Sequence, residues 1–66
     1  MKHRSYTIEY QGFRAAVLKT RRSKWHPYMY EVVPVTGYFI HENTVVYATD
    51  DVFVAREYAR LYGQLY

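Results

Sequence analysis

Residues 5–10, SYTIEY, alternate in character: Tyr6, Ile8 and Tyr10 fall on one side of an extended chain, Thr7 and Glu9 on the other. Period-two alternation over a short run predicts a half-buried strand. Gln11–Gly12 then offers a tight turn, because glycine tolerates positive φ. Residues 13–20, FRAAVLKT, predict a second strand, with Phe13, Ala15 and Val17 on one face and Arg14, Ala16 and Leu18 on the other. The polar stretch RRSKWHP, residues 21–27, ends in proline and reads as the connection to a third strand. That strand, YMYEVVPV at 28–35, is β-branched and aromatic. Pro34 brings no N–H to a ladder, so the later part of the strand is expected at an edge or a bulge. Thr36–Gly37 predicts a second turn. YFIHENTVVYAT, 38–49, carries a further strand signal that Glu42–Asn43 would split into a short hairpin.

The period changes in TDDVFVAREYARLYG, residues 49–63. Val52, Ala55, Tyr58, Ala59 and Tyr62 recur at i, i+3, i+4 spacing, which predicts an amphipathic helix over about 50–62. Thr49 is the candidate N-cap, and Asp50 and Asp51 complement the positive end of the helix dipole. Gly63 is placed to end the helix as a C′ residue. The two alanines let the helix lie close to a sheet. Phe53 falls among Arg56, Glu57 and Arg60, and is expected at the rim of the core, with an exposed anchor as the alternative. Arg56 and Arg60 share a face, either to meet an acidic partner or to solvate it. The predicted fold is α+β: a three- or four-stranded antiparallel sheet packed by one C-terminal helix, in a single domain spanning 1–66.

Composition adds one constraint. A chain of 66 residues has room for one thin core, yet it carries nine Tyr, three Phe and one Trp. That is more ring than the core can hide, so several tyrosines are expected at the surface, where Tyr is a favoured contact residue. There is no cysteine, which removes disulfides, thiolate metal sites and thiol nucleophiles. Small secreted domains usually need such staples, so a reducing, intracellular setting is expected. MKHRSYTIEY has no apolar signal-peptide core, and no apolar run approaches the ~20 residues of a membrane span. The initial Met is read as the start of a complete short gene product.

Charge is uneven. Residues 1–24 hold seven cations (Lys2, Arg4, Arg14, Lys19, Arg21, Arg22, Lys24) against Glu9, whereas 25–66 hold Arg56 and Arg60 against five acids. The basic third is either a polyanion site or the solvated ends of hairpins. No catalytic constellation accompanies it. His3, His26 and His41 sit on separate segments without metal-ligand spacing, and His3 is placed at a frayed terminus. The glycines are isolated at turns, and Ser5 and Ser23 lack a nucleophile's context. Asp50–Asp51 is better explained by helix capping than by acid–base work. The expectation is a protein that is not an enzyme and holds no cofactor or metal.

The strand–strand–strand–helix order closed by YATDDVFVAREYARLYG looks like the small ββ(β)α modules. It resembles the sheet-reading DNA-binding domains of integrase arm-binding and plant ethylene-response proteins, which present alternating Arg and Trp to the major groove. Here only Arg14 and Lys19 lie mid-strand, on opposite faces. In length, absence of cysteine and absence of a catalytic signature the chain is also similar to the short phage-encoded inhibitors of host defence, including anti-CRISPR proteins. That second resemblance implies a stand-alone protein that blocks a larger protein or nucleoprotein complex, and it assigns no residue. The residue types that dominate interface hot spots point to Arg21, Arg22, Lys24, Trp25, Tyr28, Tyr30 and Phe53, with Arg56 and Arg60, as partner contacts. The alternative is direct nucleic-acid binding through Arg14, Lys19, Arg21, Arg22, Lys24 and Trp25, cations on phosphates and the indole on a base. A third reading is a homodimeric accessory protein paired through Tyr-rich faces and an edge strand. Trp25 itself is expected to cap the open end of the core, since so small a core needs every large side chain.

Overall fold

The central strand of the sheet is the one that carries the proline. The structure, a computed structural model, describes residues 5–65; Lys2, His3 and Arg4 lie outside them. Its elements are β1 (Thr7–Gln11), β2 (Ala15–Thr20), β3 (Met29–Thr36), β4 (Phe39–Ile40), β5 (Tyr47–Thr49) and α1 (Val52–Leu65). The sheet is antiparallel and curled, in the order β1-β2-β3, with β4 and β5 both on the far edge of β3. One C-terminal helix packs on it, so the α+β class is as the pattern predicts. The 38–49 segment does split. Its two pieces do not form a hairpin with each other: β5 pairs with Tyr30–Val32, and β4 with Val35–Thr36.

Pro34 fits the central strand because of that split. The Val35 N–H reaches back to the Arg14 carbonyl at 2.8 Å, on the β2 side. Alternation therefore turns the Pro34 nitrogen to the opposite edge, into the gap between β5 and β4, where no donor is needed. The Pro34 carbonyl on that edge accepts from His41 N–H at 3.0 Å. The expected edge or bulge is thus replaced by a local break between two short partners.

The bulge lies in β1. Ile8 pairs with Leu18 but Tyr10 pairs with Val17, which leaves Glu9 as the extra residue. The inserted residue reverses the pleat, so Tyr6, Ile8 and Tyr10 do not share a face as alternation predicts. Tyr6 packs with the cluster on one side of the sheet and Tyr10 with the cluster on the other.

Those clusters form two small cores. On the helix side, Ala15, Val17 and Val32 meet Ala55 and Ala59, with Tyr10, Tyr30 and Tyr62 half-buried around them. On the opposite side, Ala16, Leu18, Val33 and Val35 are covered in part by Tyr6 and Ile40. β2 is therefore buried on both faces, and AAVL is the continuous apolar run such a strand requires.

The helix begins later and ends later than its caps suggest. Asp51 Oδ1 accepts from the N–H groups of Phe53 (2.9 Å) and Val54 (3.3 Å), so Asp51 is the N-cap. Thr49 Oγ1 instead accepts from the Asp51 N–H at 3.1 Å and shapes the approach. Gly63 lies inside the last turns, near the Cβ of Arg14, and is not a C′ residue. Gly12 is needed for space and not for a positive φ: a Cβ there would sit 2.9 Å from the Ala15 carbonyl oxygen and 3.2 Å from the Tyr10 ring. Gly37 alone among the described residues has positive φ, 61°, and opens the two-residue β3–β4 turn as in type II′.

Two substitutions test this account by urea unfolding. Asp51→Ala is expected to cost about 1 kcal/mol, and Asp51→Asn much less, because the asparagine oxygen still caps. Gly12→Ala is expected to cost about 1–3 kcal/mol, the range for forcing a methyl group into packed surroundings.

Candidate functional site

Arg21–Tyr28 joins β2 to β3, and Ser23 organises it. The Ser23 carbonyl accepts from His26 N–H at 3.0 Å and closes a turn whose central residues are Lys24 and Trp25. The Ser23 hydroxyl accepts from Trp25 N–H at 3.3 Å and meets His26 Nδ1 at 2.7 Å. In the Nε2–H tautomer the hydroxyl donates to that ring nitrogen. Trp25 is consequently held outward, 83% exposed. It does not cap the core, and the expectation from core size is corrected.

Cations and rings alternate around this tip. Lys19 Nζ lies 4.3 Å from the centroid of the Tyr28 ring, and the Arg21 guanidinium carbon lies 4.6 Å from the same centroid. Lys24 Nζ lies 5.2 Å from the Trp25 centroid. These are cation–π distances, each worth about 0.5–1 kcal/mol at an exposed site. Arg22 turns to the other flank, where it lines a hollow of about 700 Å³ with Thr20, His26, Pro27 and Met29. A second hollow, of about 300 Å³, lies beside Lys19, Lys24 and Tyr28. Ser5, Thr20 and Arg21 border both.

The tip gathers Lys19, Arg21, Arg22, Lys24, Trp25 and Tyr28. The other candidates lie elsewhere. Tyr30 is half-buried against the helix-side core and serves packing. Arg14 sits at the far end of β2, roughly 20 Å from the tip at 3.3 Å per residue, with its guanidinium 5.7 Å from the Phe13 ring centroid. It is a bend residue and not a mid-strand one. Arg56 lies 5.6 Å from the Tyr10 ring centroid. Arg60 bonds Glu57 within the helix; this hydrogen bond, then the carboxylate's charge, raises the Arg60 pKa above its ordinary value. The two helix arginines thus have separate partners despite sharing a face.

Phe53 is 75% exposed and is not a rim residue of the core. It heads an apolar groove of about 370 Å³ with Val54, Tyr58 and Leu61. Tyr58, expected on the sheet-facing stripe, meets the sheet at its edge, stacked on Tyr47 of β5 with centroids 4.5 Å apart and planes within 4°. Sequence reasoning missed Val54, Leu61 and Tyr47. Their signal was present: Val54, Tyr58 and Leu61 stand at i, i+4, i+7, a second stripe beside the one that meets the sheet.

The sheet face opposite the helix presents Ala16, Leu18, Val33 and Val35, all buried and apolar. None of these four side chains carries a donor that could read a base edge. Among the described residues, no helix is long and apolar enough to cross a membrane. No protein-family model, curated protein or solved structure matches this chain.

The exposure of Trp25 predicts a water-like emission spectrum and ready quenching by iodide in the free protein. Ser23→Ala is expected to lower the anisotropy of that emission while changing global stability by less than about 0.5 kcal/mol. Unchanged anisotropy would mean that the hydroxyl does not hold the tip.

Proposed function

We propose that this chain is a non-enzymatic binding protein that blocks a larger protein or nucleoprotein complex, of the phage anti-defence kind. The observation that carries this reading is the second apolar face of α1. A surface helix normally turns charged side chains outward. Here Phe53, Val54 and Leu61 are exposed, and Tyr58, stacked on Tyr47 of β5, carries the surface to the sheet edge. Exposed rings around a groove are the usual anchor of a protein interface, with the groove taking an apolar side chain of the partner.

The polar groups that chemistry would use have structural partners instead. Asp51 caps the helix, His26 is bonded to Ser23, and His41 Nε2 lies 2.6 Å from Thr36 Oγ1. A blocking protein needs only a surface and the stability to present it, which suits a chain of 66 residues. A cytoplasmic setting in the host cell belongs to the same reading.

The test is site-specific photo-crosslinking in the cells where the chain acts, with the crosslinker at position 53 or 61. One and the same large partner is expected from both positions. Phe53→Asp with Leu61→Asp is expected to weaken that complex by 30-fold or more, from hot spots of about 2 kcal/mol or above, without unfolding the chain. Adducts only between copies of this chain would replace the reading with the homodimer, and no adduct from either position would overturn it.

A further inference from the structure

A different surface carries an independent inference. We propose that the β2–β3 tip is a binding site for single-stranded nucleic acid, with the phosphodiester chain running around its base and a base stacked on Trp25. The two hollows that flank the tip share Ser5, Thr20 and Arg21 in their walls, so a chain that crosses Arg21 would pass from one to the other. Cations stand along that path: Arg22 on one flank, Arg21 at the junction, Lys19 and Lys24 on the other. Adjoining hollows with spaced positive charges suit a linear polyanion better than a discrete ion.

The rings decide which polyanion. Trp25 is exposed close to the cations that would take the phosphates, and stacking on such a ring accepts any base, whereas the Tyr28 ring already carries Lys19 and Arg21 over it. Ser23 already fixes the backbone of the turn, so the loop that carries the indole need not be ordered on binding. Acidic groups bound the path. Glu31 lines the first hollow, and Asp50 and Asp51 follow β5, the neighbour of β3 at this same end of the sheet. They steer phosphates toward the β2 side. A duplex would need a broad reading face, and the apolar sheet face cannot supply one.

The experiment uses the full chain with fluorescein-labelled oligothymidylate, a duplex of equal length, and heparin. Oligothymidylate is expected to bind and to quench Trp25, with log K against log salt falling at a slope of about −3 for four phosphate contacts at 0.7 each. Arg21→Ala is expected to flatten that slope by about 0.7. Trp25→Ala is expected to weaken binding by about 10-fold or more, and Trp25→Phe by far less, since the ring still stacks. All three variants change an exposed side chain, and an unaltered unfolding midpoint verifies the fold. Equal binding of heparin with no effect of Trp25→Ala would overturn the proposal in favour of a general anionic contact, such as an acidic protein surface. Tighter binding of the duplex, or no binding at low salt, would also overturn it.

Discussion

The pairing of β2 with β3 is the constraint on which the rest of this protein depends. Ala15–Leu18 lies against Glu31–Pro34, and all four residues of the β2 run are sealed on both faces. The helix can pack on one side only because Val17 and Val32 present a flat apolar surface there, matched by Ala55 and Ala59. The Tyr6–Ile40 cover on the other side is possible because the β1 bulge sends Tyr6 and Tyr10 to opposite faces. Even the proline is tolerated because its nitrogen faces away from β2, into the gap between β5 and β4, while the Val35 N–H keeps the bond to the β2 side.

This arrangement sets a narrow gap between helix and sheet, and the gap sorts the side chains. Among the described residues, the buried core consists of Ala, Val and one Leu, with no aromatic residue in it. A helix that meets a sheet through alanines leaves no room for a ring between them. The rings are displaced to the margins, where Tyr10, Tyr30 and Tyr62 close the edges of the helix-side core. Others stand in solvent: Trp25 at one hairpin, Phe13, Tyr38 and Phe39 at the opposite end, and Phe53 on the helix. A chain only 15 Å across in its thinnest direction carries far more aromatic surface than it can enclose.

The exposed rings fall into environments with different chemistry. Around Trp25 and Tyr28 they alternate with cations, which favours phosphate and base. Around Phe53 and Tyr58 they border aliphatic side chains, and the nearby Arg60 is matched by Glu57, which favours an apolar partner. A protein that blocks a nucleoprotein complex can use both, one surface for the protein and one for the nucleic acid it holds.

The sequence by itself determined the element types, the class of fold and the sheet-facing stripe at Ala55, Ala59 and Tyr62, because period and turn chemistry are local properties. It also marked residues 21–28 as a basic, aromatic connection. Only the tertiary structure decided which rings were core and which were surface, since that turns on the helix–sheet gap and on no local pattern. The same holds for Tyr6 and Tyr10, whose faces depend on a bulge defined by the register against β2. It holds for the cap, where Thr49 and Asp51 are both competent and the exit of β5 selects Asp51. It holds for the candidate site as well. Lys19, Arg21, Arg22 and Lys24 are neighbours in sequence, but their placement around two adjoining hollows follows from the turn at Ser23 and the return of β3 beside β2.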